Sequence, residues 1–138
     1  MKKPKYVLDS YALLAFFQAE PGGEKVHGIL KEAFDGRVAV FLSVINLGEI
    51  YYIVARKRGR ETARAILEDV SRLPLDLVDA GTERVLAAAE IKARHPVSYA
   101  DAFAAAAAEE LSAILVTGDP ELKQIVPADS LLYLENAP

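Results

Sequence analysis

The sequence predicts an α/β fold built on a mostly parallel sheet. Three observations carry that expectation. Five short apolar runs are spaced along the chain, stretches of helical pattern fill the gaps between them, and turn or capping residues mark the junctions. Short apolar runs with polar ends suit strands covered on both faces, as in a parallel sheet.

The first run, Tyr6-Val7-Leu8, stops at Asp9. Tyr11 to Gln18 reads as a short helix, ended by Pro21-Gly22-Gly23, and Glu24 to Phe34 as a second, ended by Asp35-Gly36. Val38 to Leu42 is the second strand. Ser43 then caps a helix running to Lys57 and ending near Gly59. Arg60 to Leu73 is helical and stops at Pro74; Leu75 to Val78 is the third strand. Thr82 to Arg94 is a helix closed by Pro96, and Ser98 to Leu111 is the next, its Ala104–Ala108 run letting it pack closely on a neighbour. Ala113 to Val116 is the fourth strand. Asp119-Pro120 opens a last short helix with proline at its first position, and Leu131 to Leu134 is the fifth strand.

Length and composition narrow the function classes. A chain of 138 residues, 52% hydrophobic and 26% charged, suits one domain over residues 1–138, without repeats or linkers. Cysteine is absent, which removes disulfides, thiolate catalysis and zinc-thiolate sites, and the two histidines, His27 and His95, make a multi-histidine metal centre untenable. No segment reaches the ~20 apolar residues of a membrane helix. The basic start, Met1-Lys2-Lys3-Pro4-Lys5, reads as a lead-in to the first strand rather than a signal peptide, because Asp9 breaks the apolar run early. A cytoplasmic protein without membrane attachment is expected. No phosphate-binding glycine loop of either common pattern is present.

Four acids stand in unusual places. Asp9 follows the first strand, Glu49 interrupts the apolar segment Val44–Ile50, Asp101 opens the alanine-rich helix, and Asp119 follows the fourth strand. Each has a simpler role available: Asp9 and Asp119 as helix caps, Ser98 and Asp101 as a capping box, Glu49 on a solvent face. Geometry nevertheless couples them. Ligands of an open parallel sheet bind beyond the carboxyl ends of its strands, where the winding reverses. If strands one and four are neighbours there, Asp9 and Asp119 face one crevice. Asn46 and Glu49 share a helix face at the same end, and the Asp101 helix must start there to lead back into strand four. Carboxylates gathered this closely raise one another's pKa, and a hard divalent cation such as Mg²⁺ or Mn²⁺ relieves the repulsion.

The motifs Tyr6–Leu14, Asn46-Leu47-Gly48-Glu49-Ile50-Tyr51-Tyr52, Ser98–Ala104 and Leu115–Glu121 occur in an order and spacing similar to PIN-domain ribonucleases, specifically the VapC toxins of VapBC toxin–antitoxin pairs. The resemblance spans almost the whole chain. It implies a three-layer α/β/α fold whose five parallel strands run in the order 3-2-1-4-5. It implies Mg²⁺- or Mn²⁺-dependent cleavage of RNA by a metal-activated water, a VapB-like antitoxin as partner, and a homodimer. Carried over by position, Asp9, Glu49, Asp101 and Asp119 are the catalytic and metal-site acids, and Ser10, Asn46 and Thr117 are the outer residues that orient carboxylates or water. Glu121 matches a position often acidic in the family; Leu122 stands where the family often has phenylalanine.

RNA must approach a chain of net charge -4. Setting the four acids aside leaves acids and bases equal in number, so that excess belongs to one crevice. Arg56, Lys57 and Arg58, with Arg60 and Arg64, form the main basic cluster, read either as a solvated helix end or as a contact to backbone phosphates. Tyr51 and Tyr52 are open to base stacking or to packing at the core or a dimer face. Two other functions fit the same residues: a PIN nuclease in RNA processing without an antitoxin, and a non-catalytic α/β binding module.

Overall fold

A computed structural model of the chain describes residues 2–135; Met1 and residues 136–138, part of the single-domain expectation, lie outside the described residues. Five strands, β1 (Lys5–Leu8), β2 (Ala39–Ser43), β3 (Asp76–Val78), β4 (Ile114–Thr117) and β5 (Leu131–Tyr133), form one sheet in the order β3-β2-β1-β4-β5. Every pairing is parallel. The helices α1 (Ser10–Phe17), α2 (Gly23–Phe34), α3 (Val44–Arg58), α4 (Arg60–Ser71), α5 (Thr82–Arg94), α6 (Tyr99–Leu111) and α7 (Pro120–Ile125) cover its two faces. A short 3₁₀ turn, Ala128–Ser130, precedes β5. Element ends differ from the sequence expectation by at most two residues, and both ends of α5 coincide with it.

The alternation of side chains along each strand builds two cores. Leu8, Val40, Leu42 and Val116 point to one face and pack with Leu13, Val26, Ile50, Val54 and Val70 from α1–α4. Val7 and Leu115 point to the other and pack with Ala88, Ile91, Phe103, Leu122 and the alanines of α6. The alanine run is therefore a close-packing surface in the second core, as its composition suggests.

Register places the site. Leu8 pairs with Leu42 on one side and with Val116 on the other, so Asp9, Ser43 and Thr117 come next at one level, at the carboxyl edge of the sheet. The winding turns toward β2 and β3 on one side of β1 and toward β4 and β5 on the other, which makes β1/β4 the switch point. Two helix starts roof this edge. Ser43 Oγ accepts from Ile45 N at 3.2 Å to start α3, and Ser98 Oγ accepts from Asp101 N at 3.1 Å to start α6. Among the described residues, no helix is long and apolar enough to cross a membrane.

Candidate metal-binding crevice

Asp9 directly follows β1 and is the cap of α1. One carboxylate oxygen accepts from Ala12 N at 2.8 Å, and the other accepts from the Thr117 hydroxyl. Capping and site membership are thus one geometry rather than rival explanations. The side chain is 1% exposed, and burial, opposed by these hydrogen bonds and reinforced by the charges of Asp119 and Glu49, pushes its pKa up to about 7.

Thr117 ties two acids together. Its hydroxyl donates to Asp9 and accepts from Asp119 N at 3.0 Å. Asp119 caps α7 by accepting from Glu121 N at 2.8 Å. The buried Asp101 carboxyl is also raised to about 7, by burial first, then by a hydrogen bond with Asp119 and the charges of Asp119 and Asp9. Glu49 is half-buried and accepts from the Ser10 hydroxyl. The structure therefore brings Asp9, Glu49, Asp101 and Asp119 to one edge, with Ser10 and Thr117 bonded to two of them. Glu121 is exposed outside it.

Asn46 joins the two roofing helices. It is fully buried, and its Nδ2 donates to Ala100 O at 3.2 Å, across from α3 to α6. A carbonyl can only accept, so the amide orientation is set, and Oδ1 is left without a partner. This buried acceptor lies one helical turn from Glu49 on α3, held against the start of α6 that carries Asp101.

Among the described residues no three acidic or histidine side chains are arranged to hold a metal ion as they stand. The carboxylates are turned to their own donors and, at Asp101 and Asp119, to each other. The donor set still fits a hard cation: four carboxylates, an orphaned amide oxygen, and no ion pair from any described Lys or Arg to these acids.

One neighbour escaped the sequence reading. A Cβ at Gly118 would lie 2.1 Å from a ring carbon of Tyr11, so the Tyr11 ring sits directly on the loop joining Thr117 to Asp119. The only sequence signal was a glycine between two site residues. Arg56, Lys57 and Arg58 are not in the crevice: they end α3, and Arg58 is about 13 Å from Glu49 at 1.5 Å per residue. His27 is exposed and stacks on Phe16; His95 is half-buried, away from the acids.

The PIN domain family model matches residues 6–126. No curated protein matches the chain. Among solved structures, DNA-bound VapBC from Salmonella typhimurium matches with a TM-score of 0.71 at 18% identity, covering 95% of this chain and 98% of the other. VapBC2 from Rickettsia felis, bound to a DNA fragment from its promoter, matches with a TM-score of 0.68 at 18% identity over 94% and 96%. VapC20 of Mycobacterium tuberculosis, a toxin that cleaves the sarcin–ricin loop, matches with a TM-score of 0.66 at 19% identity over 87% and 94%.

Proposed function

Because the chain belongs to the PIN-domain family, we propose that it is a VapC-type toxin: an endoribonuclease dependent on Mg²⁺ or Mn²⁺ and held in check by a VapB-like antitoxin. The observation that carries the reading is the burial of Asp9 and Asp101 beside two further acids, with no ion pair to these acids from any cationic side chain among the described residues. Such an arrangement costs stability in the isolated chain and makes sense as a site that takes up positive charge. The proposed protein is a single domain that works as a homodimer in the cytoplasm.

Asp9, Glu49, Asp101 and Asp119 would hold the cation, which when bound would offset charge at the phosphodiester and make water more acidic. The chain's own residues supply the rest. Thr117 and the backbone of Ala12 fix both oxygens of Asp9, so that carboxylate cannot swing away. Ser10 steadies Glu49, and Asn46 holds the start of α6, hence Asp101, against α3. Glu49 and Asp119 are the half-buried acids, open to substrate, and either can take the proton lost by the attacking water.

The test uses purified protein and a mixed single-stranded RNA pool. Cleavage is expected with Mg²⁺ or Mn²⁺ and none after chelation. Equal cleavage in chelator would overturn the metal requirement, and no cleavage with either metal would overturn the nuclease reading. Toxicity on expression, relieved by an adjacent small partner gene, separates the toxin from an RNA-processing nuclease.

A further inference from the structure

The outer face of α3 joins the acidic crevice to the basic cluster in one line. Tyr52 and Arg56 follow Glu49 by three and seven residues, offsets that return to one face of a helix. Tyr51 packs against the first core, whereas Tyr52 is 46% exposed. The Arg56 guanidinium lies over the Tyr52 ring at 5.1 Å from its centroid, so an aromatic face and a cation form one preassembled unit. Gly48, just before Glu49, is exposed, and a Cβ there would meet nothing within 4 Å, so this stretch of surface is open. Among the described residues Arg56, Lys57, Arg58, Arg60 and Arg64 are all exposed and none lies in an ion pair. Unneutralised cations next to an exposed ring suit a polyanion that also carries flat bases.

We propose that Tyr52 and Arg56 form a nucleotide subsite for single-stranded RNA, Tyr52 stacking on a base and Arg56 meeting a backbone phosphate. It rests on the nuclease reading above. Seven residues of helix span about 10 Å, which is about three nucleotides of a stacked strand at ~3.4 Å each. The subsite therefore holds RNA up to three nucleotides from the scissile phosphate. Lys57 and Arg58 point off this line at the helix end and add only diffuse attraction.

The experiment measures binding of fluorescein-labelled single-stranded oligouridylate by anisotropy, in the Asp101→Asn background so that the strand is not cut. Tyr52→Ala should weaken binding roughly tenfold, and Tyr52→Phe should bind like the parent, since stacking needs only the ring. Arg56→Gln should weaken binding and reduce the slope of log K against log salt by about 0.7, the share of one single-strand phosphate. Thermal midpoints should not move, because both side chains are exposed. If the parent binds and Tyr52→Ala and Arg56→Gln bind equally well, the subsite is wrong while the nuclease reading stands. If Tyr52→Ala instead changes the oligomeric mass with RNA affinity intact, the face is a protein interface and the subsite is also wrong. If the parent itself does not bind RNA, both readings fall.

Discussion

The two ends of the sheet teach different lessons about where chemistry sits. At the amino end, the last turns of α6 and the segment after α7 enclose a cavity of about 460 Å³, lined by Ile91, Ala105, Ala108, Ala113, Ile125 and Val126, with Arg94, His95 and Glu109 beside them. None of the four acids lines it. At the carboxyl end stand all six of the buried polar side chains among the described residues: Asp9, Ser10, Ser43, Asn46, Asp101 and Thr117. A largely apolar cavity marks the amino end, and costly polar burial marks the carboxyl end. The second is the stronger sign of function, because space between apolar side chains follows from loose packing, whereas a buried carboxylate needs a reason.

The sharpest way to break this contrast is to remove a charge from the carboxyl end. Asp9→Asn or Asp101→Asn should abolish RNA cleavage, a loss beyond the ~10–100-fold of a change outside the inner shell. Both should remain folded, with an unaltered circular dichroism spectrum, because Asn at position 9 keeps an oxygen for Ala12 N. Cleavage by the purified Asp9→Asn protein at the parent rate would mean that polar burial had pointed to the wrong end.

A steric pair tests the same end without touching a charge. Gly118→Ala drives a methyl into the Tyr11 ring and should cost about 1–3 kcal/mol. It should also shift Thr117 and Asp119, and so weaken Mn²⁺ binding by calorimetry. Tyr11→Ala in the same chain opens the space, and part of the Mn²⁺ affinity should return. No recovery in the double variant would show that the ring does not set the loop.

The buried acids also leave a signature in pH. Asp9 and Asp101 titrate near 7 in the folded chain against an ordinary value of 3.8. Between those values the folded state holds protons that the unfolded state has lost. Stability of the metal-free protein should therefore be highest below about pH 4 as far as these groups decide it, fall as pH rises, and level off above 7. Excess Mn²⁺ above pH 7 should restore a few degrees of thermal midpoint, and Asp9→Asn should flatten the decline. A midpoint that rises from pH 5 to 8 without metal would contradict the burial argument.

Much of this contrast was legible in the chain. The helix and strand ends were marked by residues with local reasons to stop: Asp9, Ser43, Gly59, Pro74, Pro96 and Pro120 act through caps, turns and missing donors, all encoded within a few residues. The strand order, by contrast, was only implied by resemblance, since periodicity does not tell which strands are neighbours. The crevice was half legible. Asp9 and Asp119 at strand ends declare themselves, and Glu49 does so by interrupting an apolar segment. That Asn46 crosses to Ala100, that Thr117 bridges Asp9 and Asp119, and that Tyr11 lies on Gly118 depend on contacts between distant parts of the chain. The sequence carries these residues but not their meeting. The basic cluster was read as one unit, yet helix geometry divides it: Arg56 shares the Glu49 face and Lys57 and Arg58 do not.

The amino end offers the smallest effect and so the cleanest control. His95 is half-buried at the cavity and Arg94 is exposed there, and neither bonds to a site acid. His95→Ala and Arg94→Ala remove side chains whose surroundings are partly solvent, so each should change stability by less than about 0.5–1 kcal/mol. RNA cleavage and Mn²⁺ affinity should match the parent. A large loss of cleavage in either variant, with stability intact, would move function toward the roomy end. It would also mean that the cavity communicates with the crevice along α6, the one helix that reaches from Asp101 to the cavity wall at Ala105, Ala108 and Glu109.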